Sequence, residues 1–200
     1  SIQDLTPLGH QPMQINNGNL TTIYNGEIYN FKEIKVELIK KGYKFKSKSD
    51  TEVILASYDY WGVNCVNYFN GAFAFSIYDL KNQVIFIARD RAGEKPLFYN
   101  INNKEIIFAS ELKALMSKED IKREIDYESL DLYLSMGFIP GDKCILSEFK
   151  KLPPGHSLIF NLKNGEKDIK QYWKLPNYDD SQKTNKTDLL NKLEDLLEDS

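Results

Sequence analysis

Residues 72–88 carry two kinds of apolar patterning in quick succession, and together they commit the middle of the chain to a sheet. Over residues 72–78, Phe73, Phe75 and Ile77 fall on alternate positions, the two-residue period of a strand, while residues 84–88 are almost continuously apolar. The two segments read as the paired central strands of a hairpin. Residues 20–28 form another strand, because Thr21, Thr22, Ile23 and Tyr24 all favour extended backbone, and the Asn25-Gly26-Glu27 motif is expected at its end or on a bulge. Residues 97–101 and 105–109 pair around Asn102-Asn103, and residues 156–162 add one more strand.

Helical spacing appears between these strands. Over residues 31–41 the apolar side chains Phe31, Ile34, Leu38 and Ile39 recur on one face, and Gly42 stops the helix. Ser49 followed by Glu52 is a capping-box pattern for a second helix, with Val53, Ile54, Tyr58 and Trp61 turned inward. A short helix is expected over residues 111–116, and another over residues 127–136, capped by Asp126 and ended by Gly137. Antiparallel strands with helices grouped between them give an α+β fold whose sheets pack face to face, not a parallel βαβ sheet.

Residues 177–186 are polar and read as a surface linker between a domain over residues 1–176 and the start of a second over residues 187–200. In that last segment Leu189, Leu190, Leu193, Leu196 and Leu197 share one face of a helix that starts at a Thr187 cap. Ser1 stands where an initiator Met would, and the first residues resemble interior sequence, so a segment is expected upstream. A net charge of -3, from 26 basic and 29 acidic residues, supplies no field to gather nucleic acid. No apolar run is long enough to span a bilayer, and a cytoplasmic location without membrane attachment is expected. Cys65 and Cys144 lie far apart and outside any CxxC pattern, so neither a zinc site nor a disulfide framework is expected.

Three groups of residues are chemically suggestive. An Asn25 amide beside Gly26 can donate to a developing oxyanion, although an isolated Asn-Gly pair more often marks an ordinary turn. Asp50, in the first turn of its helix, can bind a substrate ammonium or simply complement the helix dipole. Arg89, Asp90, Arg91 and Lys95 form a charge run of the kind that usually faces solvent. His10 and His156 have no metal-ligand neighbours, and no metal site is assigned.

Seven strings in order carry a resemblance. They are Gly-His-Gln-Pro-Met (9–13), Tyr-Asn-Gly-Glu-Ile-Tyr-Asn (24–30), Ser-Asp-Thr-Glu-Val-Ile (49–54), Gly-Ala-Phe-Ala-Phe (71–75), Arg-Asp-Arg-Ala-Gly-Glu-Lys-Pro-Leu-Phe-Tyr (89–99), Phe-Ala-Ser-Glu-Leu-Lys-Ala-Leu (108–115) and Lys-Leu-Pro-Pro-Gly-His (151–156). Over nearly the whole chain they resemble the glutaminase domain of glutamine-hydrolysing asparagine synthetases. The resemblance implies a four-layer αββα sandwich of the N-terminal-nucleophile hydrolase type. It also implies chemistry in which an N-terminal cysteine attacks the glutamine side-chain amide and releases ammonia. By matched position Asn25 and the Gly26 backbone form the oxyanion hole, Glu27 and Asp50 bind the α-amino end of glutamine, and Ile2 offers a backbone contact.

The family's nucleophilic cysteine and the arginine that holds the glutamine carboxylate match no position of this chain, and internal Cys65 and Cys144 have no free α-amine beside them. A free N-terminal Ser1 has suitable chemistry, but the matched motif puts it on an internal strand. The 200-residue chain is therefore expected to be inactive alone. No cofactor is expected in it; ATP and magnesium are expected in a C-terminal synthetase domain that would be its partner. Glutamine is the expected ligand, and a homodimer is left open. Two other readings are an amidotransferase acting on a different carboxylate acceptor and a non-catalytic scaffold domain.

Overall fold

In the computed structural model, residues 4, 6–103, 105–118, 121–177 and 185–198 are described. Their elements run in the order β1 (Met13–Ile15), β2 (Leu20–Ile28), α1 (Phe31–Lys40), α2 (Asp50–Trp61), β3 (Gly71–Asp79), β4 (Val84–Arg89), β5 (Phe98–Asn102), β6 (Glu105–Ala109), α3 (Leu112–Leu115), α4 (Tyr127–Met136), β7 (Lys150–Lys151), β8 (His156–Asn161), β9 (Lys167–Gln171) and α5 (Lys186–Glu198). None of the described helices is long and apolar enough to cross a membrane.

The alternation in β3 sets the layers. Phe73, Phe75 and Ile77 project to one side of the strand and join Phe86 and Ala88 of β4 in a cluster with Ile34 and Leu38 of α1 and Val53 and Ile54 of α2. On the other side Ala74, with Ile87 of β4 and Leu158 and Phe160 of β8, meets Tyr99 and Ile101 of β5 and Ile106 and Phe108 of β6. A third cluster lies beyond the second sheet, where Phe98, Ile107 and Ala109 pack against Leu115, Cys144, Leu146 and Phe149. Helices, sheet, sheet and a thinner outer layer follow in that order. The first sheet has six strands in the order β1-β2-β3-β4-β8-β9 and the second has three, β6-β5-β7, with every described pairing antiparallel.

The β3–β4 hairpin lies at the centre of the larger sheet, as its patterning predicts, with Ala74 opposite Arg89 and Asp79 opposite Val84. Helix α4 keeps its expected bounds: the Asp126 carboxylate accepts the Ser129 N–H at 2.7 Å, and Gly137 ends it in the left-handed conformation at φ 78°. Helix α1 stops before Gly42, whose φ of 96° a side chain would strain.

Other expectations are corrected. Ile39 is 52% exposed, because the buried stripe of α1 is satisfied by Phe31, Ile34 and Leu38. Val53, Ile54 and Tyr58 are buried as expected and Trp61 packs half-buried against the core, but α2 is not amphipathic: it is buried around its whole circumference from Asp50 to Tyr58. The Ser49 hydroxyl accepts the Thr51 N–H at 3.2 Å, one residue short of the capping-box position. Glu52 instead turns back to the loop before the helix, accepting the N–H groups of Lys46 and Ser47 and the Ser47 hydroxyl at 2.6–3.1 Å. Helix α5 begins at Lys186, and Asn185 accepts the Thr187 N–H at 3.2 Å, so Asn185 is the cap. Its leucines 189, 190, 193, 196 and 197 are all exposed.

Phe75 is sealed among Phe69, Phe73 and Phe86. Phe75→Ala should lower unfolding free energy by about 3–5 kcal/mol in urea titrations. Tyr127, which is 80% exposed, is the contrast: Tyr127→Ala should stay within about 0.5 kcal/mol of the parent.

Candidate functional site

Asn25-Gly26-Glu27 is neither a turn nor a strand terminus. It lies inside β2, with Asn25 opposite Ala74, Gly26 opposite Phe73 and Glu27 opposite Ala72. Gly26 has a φ of 145°, and a Cβ placed on it would fall 2.1 Å from the Ala72 carbonyl oxygen and 2.7 Å from the Phe73 Cα. Both obstacles are backbone of a central strand and cannot swing aside. Steric fit between β2 and β3 is thus sufficient reason for a glycine here, before any ligand is considered.

The sheet's alternation separates the candidate residues by face. Leu20, Thr22 and Ile28 are buried on the side of α1 and α2, whereas Asn25 is exposed on the side of the second sheet. Opposite Ile23 and Asn25 stand Ser76 and Ala74, two small side chains that leave the sheets incompletely filled between them. The result is a cleft of about 180 Å3 lined by Ile23, Asn25, Ala74, Leu97, Phe108 and Ser110, among others. The Asn25 amide donates to the Ser110 hydroxyl at 3.2 Å, bridging β2 to the residue that follows β6. Gln11, also in the lining, accepts the Tyr24 N–H on its side-chain oxygen at 2.6 Å.

Asp50 is reached from the opposite face. It is 3% exposed, and its Oδ2 accepts the Tyr24 phenol at 2.7 Å and the Ile28 N–H at 3.1 Å. Its other oxygen, Oδ1, lies 3.5 Å from the Ser49 hydroxyl. Burial, with the Asp50 charge as the next cause, pushes the Tyr24 phenol far above its ordinary value, so Tyr24 remains a donor. Asp50 therefore braces the end of β2 and is absent from the lining of the Asn25 cleft. Glu27 is half-buried on the Asn25 side of the strand, and Ile2 lies outside the described residues.

The run from Arg89 to Lys95 is not a solvated face. Asp90 is 0% exposed and accepts three backbone N–H groups, from Phe73 at 3.2 Å, Glu94 at 2.9 Å and Lys95 at 3.0 Å. The half-buried Arg89 guanidinium donates to the carbonyls of Gly93, Lys95 and Leu152 at 2.6–2.7 Å. Burial draws that guanidinium below its usual value, opposed by the neighbouring Asp90 charge. The loop so folded delivers Leu97 to the cleft. Charge density alone could not distinguish this from a surface, because its partners are backbone groups.

Neither thiol belongs to the cleft. Cys65 is fully enclosed in the helix-side core, where burial pushes its thiol up, and Cys144 sits in the outermost cluster. His10 is exposed, and the His156 Nδ1 lies 2.7 Å from the Pro154 carbonyl. Among the described residues no three His, Cys, Asp or Glu side chains gather as a metal site requires.

Comparison with known proteins gives a consistent result. A family model described as a glutamine amidotransferase domain matches residues 1–173. The putative glutamine-hydrolysing asparagine synthetase 2 of Methanocaldococcus jannaschii is 38% identical over 194 residues, covering 89% of this chain and 37% of that protein. The glutamine-hydrolysing asparagine synthetase 3 of Bacillus subtilis is 40% identical over 171 residues, covering 84% of this chain and 27% of that protein. The chain thus spans about a third of the length of these relatives. Among solved structures, glutamine phosphoribosylpyrophosphate amidotransferase from B. subtilis, complexed with ADP and GMP, superposes with a TM-score of 0.58 at 21% identity, over 83% of this chain and 32% of that one. The fold is the αββα sandwich of the N-terminal-nucleophile hydrolases.

Tyr24→Phe leaves the buried Asp50 carboxylate short of a donor and should cost about 1–3 kcal/mol in chemical unfolding. The phenols of Tyr24, Tyr58 and Tyr172 are all raised from their ordinary value of 10.0. Stability should therefore be intact below that pH and decline above it, as the unfolded chain ionises phenols that the folded chain keeps protonated; a pH series of urea titrations reads this. A thiol reagent at neutral pH should label neither Cys65 nor Cys144 until denaturant is added.

Proposed function

Because the chain belongs to the glutamine amidotransferase domain family, we propose that it forms the glutamine site of an asparagine-synthetase-like protein. In that longer protein glutamine is hydrolysed to glutamate and ammonia, and the ammonia amidates aspartate to asparagine with ATP. The observation that carries this reading is the Asn25 amide, exposed at a cleft between the sheets.

The chemistry requires a thiolate to attack the side-chain carbonyl carbon of glutamine. As the C–S bond forms, the carbonyl oxygen gains negative charge and needs fixed donors. The Asn25 amide and the Gly26 backbone N–H are assigned that task. Collapse of the tetrahedral intermediate breaks the C–N bond and releases ammonia; water then cleaves the thioester, giving glutamate and the free thiol. Glu27 and Asp50 are assigned the α-ammonium end of the substrate, with a backbone contact from Ile2. For Asp50 this leaves Oδ1, since Oδ2 is committed to Tyr24 and Ile28.

Cys65 and Cys144 are buried away from the cleft, so the chain is proposed to be inactive alone. ATP and magnesium are assigned to the synthetase part of the protein.

In the full-length protein, Asn25→Ala should lower glutamine-dependent synthesis by about 10²–10³-fold, while synthesis from added ammonia is retained. Equal loss with both nitrogen sources would count against the assignment. Asp50→Asn offers a parallel test: selective loss with glutamine supports ammonium binding, whereas loss with both sources marks Asp50 as a structural brace. The isolated 200-residue chain should release no ammonia from glutamine.

A further inference from the structure

We propose that Ser110 is a positioning residue for the Asn25 amide, fixing the direction in which its second N–H points. The proposal rests on the reading of Asn25 as an oxyanion donor and goes beyond it by naming what holds that donor still.

The torsion that turns an asparagine amide is broad and has no staggered wells to hold it, and an amide that must reorient during reaction contributes little to stabilising charge. Asn25 is exposed, and β2 fixes its backbone but not its amide. The amide nitrogen carries two N–H donors. One is taken by the Ser110 hydroxyl at 3.2 Å. With that bond made, the other N–H is held at a fixed angle from it in the amide plane. Both side chains line the same cleft, so the remaining donor is left for a ligand bound there.

Ser110 is itself well anchored. It follows β6, whose Ala109 pairs with Phe98 of β5, and it precedes α3, which starts at Leu112. The bond therefore ties the amide to the end of β6 in the second sheet. A slight displacement of the sheets would rotate the donor without moving the β2 backbone.

The test compares Asn25→Ala, Ser110→Ala, Ser110→Thr and the double alanine variant in the full-length protein, each with glutamine and with ammonia as nitrogen source. Ser110→Ala is expected to lower kcat with glutamine by roughly tenfold to a hundredfold, with KM for glutamine and the ammonia reaction unchanged. Ser110→Thr, which keeps the hydroxyl, should restore most of the rate. The double variant should be no worse than Asn25→Ala, because the hydroxyl acts only through the amide.

A Ser110→Ala variant equal to the parent would overturn the proposal while leaving the oxyanion assignment standing. Losses that multiply in the double variant would also overturn it, as would loss with ammonia or failure of Thr to rescue. An Asn25→Ala variant that keeps full glutamine activity would overturn the oxyanion reading and this inference together.

Discussion

A methyl group has nowhere to go at Gly26, and much of the structure is arranged around that fact. Its Cβ would enter the Ala72 carbonyl, so at this point β2 can pair with β3 only through a residue that lacks one. Phe73, directly opposite, sends its ring into the helix-side core and its N–H to the carboxylate of Asp90. Asp90 in turn holds the loop that returns the chain toward the second sheet, through the N–H groups of Glu94 and Lys95. On the other side of β2, Asp50 secures Tyr24 and the Ile28 N–H. Two buried carboxylates thus flank one strand pairing, and each accepts hydrogen bonds from uncharged donors.

The contrast between the two faces of β3 explains why a cleft exists at all. Its large side chains, Phe73, Phe75 and Ile77, fill the space toward the helices, while Ala72, Ala74 and Ser76 face the second sheet. Sheets usually pack about 10 Å apart, and small residues at that spacing leave room. The opening occurs where Asn25 and Ile23 stand beside Ala74 and Ser76. Packing therefore creates the space, and the Asn25 amide gives it polarity.

What could be read from the sequence was whatever depends on neighbours along the chain. The hairpin of β3 and β4, the stripe of α1 and both caps of α4 follow from spacing and from single residues such as Asp126 and Gly137. β9 has no sequence signal, because Lys167–Gln171 is exposed throughout and pairs through its backbone without an apolar face. β1 and β7, of three and two residues, are too short to show a period. The Arg89–Lys95 segment reads as surface in the sequence because its charges find their backbone partners only in folded space. Ser110 lies within one of the seven resemblance strings, but its contact with Asn25 is not legible there, since the two meet across 85 residues of sequence. The resemblance to asparagine synthetase glutaminase domains implies the roles proposed for Asn25 and Gly26; only the fold shows that they lie within a strand rather than at its end or on a bulge.

The account stands or falls on where the substrate amide binds. The most direct measurement is a crystal structure of the full-length protein treated with an electrophilic glutamine analogue that traps the attacking nucleophile. The ligand oxygen should lie within hydrogen-bond distance of the Asn25 amide nitrogen, in the cleft between the sheets, with the Ser110 contact retained. A trapped ligand elsewhere, with Asn25 turned to solvent, would contradict it.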